Sequence, residues 1–293
     1  EALRKFIRET DLTMIQWRNF NIDPDWYLRK IKYTPSENVL GVKKMMKLIH
    51  EEFPHLMFGY FNPPMNIINV DLTRQFSAAL DQLAQDDSAR VVVLTGAGQR
   101  SFCAGSDVKE MHTITGRGAM VEKKLANENR VYNQLDDFPK PTIAAIHGLA
   151  LGGGLELALC CDLIVADENA KLGLPEINLG WFPGSGGPAR VTKRIGDARA
   201  KELMFFGDFI DPATALAWGL INRVSSQGEA VKVAMEMAER LAQKPNKALQ
   251  ACKRAIDIAA DEPEDQAIAK ALQLSDDVFD TNDAREGARA FFH

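Results

Sequence analysis

Two glutamates set twenty residues apart, Glu156 and Glu176, lie in a glycine-rich and apolar stretch at positions 149–187. A carboxylate in such surroundings is costly unless it is hydrogen-bonded or has a chemical role. Two carboxylates that converge on one pocket could move protons onto and off carbon as a general acid and base. The structural alternative is that the helix dipole favours Glu156 at a helix start and that Glu176 closes a turn after Pro175.

Two glycine-containing turns could supply hydrogen-bond donors to the same pocket. The glycines at 152–154 follow a predicted strand at 142–146 and precede a predicted helix, where backbone N–H groups lie exposed at the positive end of the helix dipole. Residues 102–107 follow a second predicted strand at 91–95. One N–H group from each turn could hold a carbonyl oxygen as it becomes an enolate. Close packing of helix on strand is the alternative explanation for both turns.

The elements that must position these residues follow an alternating pattern from about residue 56 to 224. Short β-branched runs predict strands at 56–61, 91–95, 142–146 and 163–166. A helix predicted between the first two strands can be capped by Asp71 or Thr73, and its apolar stripe consists of Leu72, Phe76, Leu80 and Leu83. Repeated strand–helix units with short links predict an α/β fold whose strands are buried on both faces. After about residue 227 the pattern is wholly helical.

Composition excludes several classes of function. The 293 residues carry a net charge of −5, so we expect no nucleic-acid partner. The apolar segment 141–166 contains Glu156, Asp162 and successive glycines, which argues against a membrane span. The four cysteines have no metal-like spacing; we therefore expect no metal site, and we interpret Cys160 and Cys161 as small core residues.

Several motifs in the same order resemble the crotonase (enoyl-CoA hydratase/isomerase) superfamily. They are SFCAGSDVKEM at 101–111, KPTIAAIHGLALGGGLELALCCDLIVAD at 140–167, LGLPEINLGWFPGSGG at 172–187 and EGARAFF at 286–292. The resemblance implies a ββα spiral core followed by a helical region that builds trimers, often paired into hexamers. The domain organisation expected from it is an N-terminal extension of unknown role at 1–37, the core at 38–225 and the helical oligomerisation region at 226–293.

The resemblance also implies roles by position in these motifs. Ser106 and Gly153 would supply the two N–H groups of an oxyanion hole around a thioester carbonyl. Glu156 would hold and deprotonate a water molecule, and Glu176 would deliver a proton to the α-carbon. The substrate would be an acyl-CoA thioester, with coenzyme A part of the substrate and no separate cofactor. Further positions expected at the substrate are Ala104, Gly105, Asp107, Gly152, Trp181, Phe182 and Gly184.

Because both glutamates are present, the expected reaction is hydration of a 2-enoyl-CoA. The alternatives are a double-bond isomerase that works with Glu176 alone, another acyl-CoA lyase, and a non-catalytic crotonase-fold scaffold or binding protein. We expect a homotrimer or a dimer of trimers, without a membrane partner. The expected location is the cytoplasm; the mitochondrial matrix stays open because a targeting peptide could precede Glu1.

The chain departs from the family pattern near the second glutamate. Pro188-Ala189-Arg190 stands where Thr-Gln-Arg is usual, and Trp181 and Phe182 stand where smaller residues are common. We hypothesise that the two aromatic side chains narrow or reshape the acyl pocket. His147, just before the glycine turn, is interpreted as a hydrogen-bonded structural histidine, and Asp162 as an anchor for backbone at the helix end.

Overall fold

The structure is a computed structural model, and it describes residues 14–16, 57–59, 67–98, 100–107, 110–111, 114 and 118–291. The chain divides into two compact units, Glu1–Pro63 and Pro64–His293. In the first unit, strand β1 (Met14–Gln16) pairs in parallel with β2 (Met57–Gly59), which lies inside the strand predicted at 56–61. Most of the predicted N-terminal extension lies outside the described residues, and its boundary stays a prediction.

Consecutive strands of the second unit alternate between two parallel sheets. The strands are β3 (Val92–Thr95), β4 (Ser101–Cys103), β5 (Thr142–Ile146), β6 (Leu149–Leu151), β7 (Leu163–Asp167), β8 (Lys171–Gly173) and β9 (Arg223–Ser225). The odd-numbered strands form a four-stranded sheet in the order β3-β5-β7-β9, and β4-β6-β8 form a three-stranded sheet. Because the chain enters the two sheets in turn before a helix follows, the repeating unit is ββα. The predicted α/β architecture with parallel strands is confirmed.

Helices pack around these sheets and connect their strands. They are α1 (Val70–Gln85), α2 (Ala126–Asp136, preceded by a π-helical turn at Val121–Leu125), α3 (Gly153–Leu159), α4 (Gly187–Phe206) and α5 (Pro212–Trp218). The N-cap of α1 is Asn69, whose Oδ1 accepts a hydrogen bond from the Leu72 N–H at 2.9 Å. The predicted caps were therefore wrong: Asp71 bonds Arg74 and Gln75 on the helix surface, and the Thr73 hydroxyl donates to the Val70 carbonyl.

The core lies between the sheets and the helices. Strand β5 is buried along its whole length, as a strand covered on both faces must be. The predicted stripe of α1 is buried at Leu72, Phe76 and Leu80, while Leu83 is half-buried against the same core. Cys160 and Cys161 are buried free thiols, which confirms their interpretation as small core residues.

The chain after β9 is helical, as predicted. Its helices are α6 (Ala230–Ala242), α7 (Asn246–Asp261), α8 (Glu264–Phe279) and α9 (Asn282–Phe291). Proline stands directly before α7 and α8, at Pro245 and Pro263, where its missing N–H costs the helix nothing. Among the helices in the described ranges, none combines the length and the apolarity that crossing a bilayer requires.

Candidate active site

A cavity of about 350 Å³ lies where the segment after β4, the start of α3, the helix α2 and the segment 175–187 meet. It brings together most of the residues predicted from the sequence: Ala104, Gly105, Ser106, Gly152, Gly153, Glu156, Glu176, Trp181, Phe182 and Gly184. Asp107 does not line the cavity; its N–H donates to the Ile68 carbonyl at 3.0 Å and holds the turn. Trp181 and Phe182 both line the cavity; Trp181 is half-buried and Phe182 is exposed.

Glu156 stands in the first turn of α3 and is buried, with 2% of its surface exposed. Its Oε1 accepts two backbone hydrogen bonds, from the N–H groups of Ser185 and Gly187, both at 2.8 Å. The pKa of Glu156 is raised to about 8: burial is the largest cause, the N–H donors of Gly187 and Ser185 oppose it, and the nearby Glu176 and Glu128 carboxylates add to it. The carboxylate is thus held in place at one oxygen while it lines the cavity.

Glu176 lies on a 3₁₀ turn at Pro175–Leu179, and its carboxyl group rests against the Gly152 backbone. A Cβ atom on Gly152 would be 2.8 Å from Glu176 Oε1, and the φ angle of Gly152 is +53°, so glycine alone suits this position. Glu176 Oε2 is buried and has no hydrogen-bond partner among the residues that the structure describes. Burial raises the pKa of Glu176 above its ordinary value.

Two residues at this cavity carry a backbone N–H group that their own secondary structure does not use. Ile68 and Ser106 form an isolated parallel β-bridge. The Ile68 N–H donates to the Gly105 carbonyl at 2.8 Å, and the Ile68 carbonyl accepts from the Asp107 N–H. Because these two hydrogen bonds use the residues before and after Ser106, the N–H of Ser106 itself takes no part in the bridge. Gly153 is the first residue of α3, where backbone N–H groups have no partner within the helix. A Cβ on Gly153 would be 3.3 Å from the Ser106 Oγ, so the two predicted donor residues are neighbours.

Three polar side chains at the cavity were not predicted from the sequence. Glu128, on α2, and Ser185 line the cavity, and the Tyr132 hydroxyl donates to the Gly153 carbonyl at 2.8 Å beneath the glycine turn. The only sequence signal for Glu128 is its spacing of four from Lys124, which usually marks a pair on a helix surface. Tyr132 occupies an apolar position of a helix, and nothing in the pattern indicates what its hydroxyl bonds.

His147 and Asp162 lie outside the cavity. The prediction that His147 is a hydrogen-bonded structural histidine is confirmed at its contact with the Gly98 backbone and is wrong at Nε2, which is buried without a partner in the described part of the chain. Asp162 does anchor backbone: its Oδ2 accepts from the Thr142 N–H at 2.7 Å, at the start of β5. Within the described residues, no group of three or more His, Cys, Asp or Glu side chains is arranged to hold a metal ion.

Comparison with known proteins gives one consistent result. The model of the family "Enoyl-CoA hydratase/isomerase" matches residues 60–293. The short-chain-enoyl-CoA hydratase of Clostridium acetobutylicum is 36% identical over 230 residues, which cover 78% of this chain and 86% of that protein. The crotonyl-CoA hydratase of Syntrophomonas wolfei is 34% identical over 250 residues, covering 83% of this chain and 94% of the relative.

A solved structure shares the fold. The crystal structure of an enoyl-CoA hydratase from Bacillus anthracis superposes with a TM-score of 0.74 at 35% sequence identity, covering 78% of this chain and 88% of that one. The alternation of strands between two parallel sheets, with helices at the carboxyl end, is therefore the crotonase fold that the motifs predicted. From its matching family model, its relatives and this shared fold, the chain belongs to the enoyl-CoA hydratase/isomerase family.

Proposed function

We propose that the protein adds water to a 2-enoyl-CoA thioester and forms a 3-hydroxyacyl-CoA. The observation that carries the proposal is that two carboxyl groups, the buried Glu156 and the half-buried Glu176, line one cavity together with Ser106 and Gly153. Relatives named as enoyl-CoA hydratases at about a third identity support the same reaction. A scaffold would have no chemical use for two carboxyl groups that are withdrawn from water at one cavity, and their desolvation is unfavourable.

In the proposed reaction, each carboxyl group handles one end of the double bond. The Glu156 carboxylate takes a proton from water, and the water oxygen forms a bond to the β-carbon. The π electrons move toward the thioester oxygen, which the N–H groups of Ser106 and Gly153 stabilise as an enolate. The Glu176 carboxylic acid then gives its proton to the α-carbon. A positioned acid or base contributes roughly 10²–10⁴-fold, and one oxyanion donor roughly 10²–10³-fold.

These reaction steps require that Glu156 is ionised and Glu176 is protonated when the substrate binds. Two N–H donors on Glu156 Oε1 favour the ionised form of that carboxyl group. Glu176 Oε2, buried and without a partner among the described residues, favours the neutral form. Burial raises the pKa of both groups, that of Glu156 to about 8, and the Glu176 carboxylate further disfavours ionisation of Glu156, so one proton shared by the pair is the working state.

The cavity lining supports an apolar acyl group. Side chains that face it besides the polar ones are Met111, Met120, Leu125, Leu179, Trp181 and Phe182. Apolar walls also keep bulk water away from the enolate and strengthen its hydrogen bonds to the two N–H groups. We therefore expect unsubstituted enoyl chains to be better substrates than chains that end in a charged group.

The direct test follows the ultraviolet absorbance of the conjugated enoyl thioester. Purified protein is mixed with 2-enoyl-CoA esters of increasing chain length, and we expect the absorbance of at least the short ones to fall as water adds. A parallel reaction with a 3-enoyl-CoA tests the isomerase alternative. Absence of hydration at every chain length, together with conversion of the 3-enoyl-CoA, would overturn the proposal.

A further inference from the structure

A third carboxyl group lines the cavity beside Glu156 and Glu176. Glu128 projects from α2, and its side chain is 3% exposed. The proposed reaction gives it no proton to move. A buried carboxylate is costly unless its oxygens are hydrogen-bonded or ion-paired, so its contacts show what it contributes.

Each oxygen of Glu128 bonds a different segment of the cavity wall. Oε1 accepts from the Ser106 hydroxyl at 3.2 Å, and Oε2 accepts from the Ser185 hydroxyl at 2.8 Å. Ser106 belongs to the turn that offers the oxyanion N–H, and the N–H of Ser185 donates to Glu156. One side chain on a rigid helix thus connects the segment that would hold the thioester oxygen with the segment that holds the Glu156 carboxylate.

We propose that Glu128 is a positioning residue that fixes these two segments relative to each other, an inference that rests on the hydratase function proposed above. The N–H donors and Glu156 act on atoms at opposite ends of one conjugated system, so their separation must match the substrate. A displacement of about 1 Å at such a site can cost roughly 10²-fold in rate. Hydrogen bonds to a carboxylate are stronger than neutral ones; of the two links, the 2.8 Å bond to Ser185 is the tighter and the 3.2 Å bond to Ser106 the looser.

Lys124 compensates the charge of the buried Glu128 carboxylate by forming an ion pair with it. Its ammonium group is 2% exposed and lies 2.8 Å from Glu128 Oε1 and 2.8 Å from Glu110 Oε2. The two carboxylates raise the pKa of Lys124 even though burial alone would lower it. Lys124 thus neutralises Glu128 inside the cavity wall and is itself shared with Glu110.

Other side chains hold the Ser185 segment independently of Glu128. The Asn129 amide donates to the Gly184 carbonyl at 2.9 Å, and the Arg190 guanidinium donates to the Ser185 carbonyl at 3.1 Å. Loss of Glu128 alone should therefore loosen this segment without unfolding it. The expected signature is a slower chemical step in a protein that still folds and still binds acyl-CoA.

The experiment compares Glu128→Leu and Glu128→Gln with a matched control, Glu122→Gln, which changes an exposed glutamate one and a half turns earlier. Steady-state hydration should show kcat reduced roughly 10–100-fold in Glu128→Leu with KM nearly unchanged. Glu128→Gln keeps one acceptor oxygen and should recover part of that loss. The control should match the wild type.

Adding Ser185→Ala to Glu128→Leu should cost little more, because both changes remove the same link.

Amide hydrogen exchange gives a readout that needs no activity. Peptides that span residues 181–188 should exchange faster in Glu128→Leu than in the wild type, and equally fast in the control. Unchanged exchange there, or a raised KM with an unchanged kcat, would overturn the positioning role. If Glu128→Leu does not fold, the Ser106→Ala, Ser185→Ala double variant removes the same two links and must show the same signature. Should the wild type hydrate nothing, the hydratase proposal fails while the exchange result still decides about Glu128.

Discussion

At the scale of single residues, the two carboxyl groups differ in what surrounds them. Glu156 is held at one oxygen by two backbone N–H groups, and Glu176 has a buried oxygen without any partner in the described part of the chain. Hydrogen bonds to an ionised form stabilise it, and burial without them stabilises the neutral form. We propose that Glu156 acts as the base and Glu176 as the acid; because burial outweighs the two N–H donors and raises the pKa of Glu156 to about 8, Glu156 serves as the base in the state in which the pair holds one proton.

The raised pKa of Glu156 predicts a stability effect. The pKa rises from an ordinary value of 4.5 to about 8 in the folded state, so the contribution of this group to stability is fully present below pH 4.5. It is lost as the pH rises through about 8. Glu156→Gln has no such titration, so its free energy of unfolding should improve relative to the wild type between pH 5 and 9, by on the order of 3 kcal/mol.

Urea denaturation at several pH values measures this difference. Glu202→Gln, an exposed glutamate on α4, is the control, and we expect its difference from the wild type to stay constant. If the difference in free energy of unfolding between Glu156→Gln and the wild type also stays constant with pH, the Glu156 carboxyl group is not withdrawn from water, which would contradict the structure.

At the scale of elements, glycines allow backbone segments to approach each other where the site is assembled. A Cβ on Gly154, in the first turn of α3, would lie 2.2 Å from the Cys103 carbonyl oxygen at the end of β4. This contact brings the helix start against the strand that precedes Ser106. Gly287, in α9, has open space around its Cα and no such contact.

Alanine at these two positions should have opposite effects. Gly154→Ala overpacks a buried helix–strand contact and should lower the free energy of unfolding by about 1–3 kcal/mol. Gly287→Ala replaces glycine in an exposed helix and should raise it by about 0.5–1 kcal/mol. Chemical denaturation of both variants is the measurement. Equal effects of the same sign would contradict the close approach at Gly154.

Hydrophobic periodicity was enough to predict the α/β core and the helical end of the chain. The family motifs were enough to predict most of the cavity lining. The strands β4, β6, β8 and β9 were missed because three residues are too few for a period to show. The cap at Asn69 was missed because Asp71 and Thr73 are also good capping types nearby. Glu128 was missed because a Lys and a Glu spaced four residues apart usually lie on a solvated helix surface. That this pair is buried depends on tertiary packing, which the local sequence does not show.

At the scale of the whole molecule, helix α8 exposes large apolar side chains. Ile268, Leu272 and Phe279 of α8 are exposed by 55%, 64% and 75%. Large exposed apolar patches mark interaction sites. We propose that α8 contributes to the subunit interface of a homotrimer or a dimer of trimers, as the family resemblance implies.

This proposal predicts the mass in solution. Light scattering should give three or six times the monomer mass of 32.5 kDa. Leu272→Glu places a charge in the apolar patch and should shift the protein toward monomers. Gln273→Glu introduces the same charge on an exposed neighbouring residue and should leave the assembly intact. A monomeric wild type, or identical behaviour of the two variants, would contradict the assignment of this surface.

In the proposed mechanism, hydration requires both Glu156 and Glu176, so turnover by their glutamine variants is the decisive measurement. Turnover of a short 2-enoyl-CoA is compared for the wild type, Glu156→Gln and Glu176→Gln, with binding of the saturated acyl-CoA measured for all three. Each variant should lose roughly 10²–10⁴-fold in kcat and still bind the saturated ester. If the wild type hydrates the ester and either variant keeps wild-type turnover, the paired acid–base mechanism is contradicted.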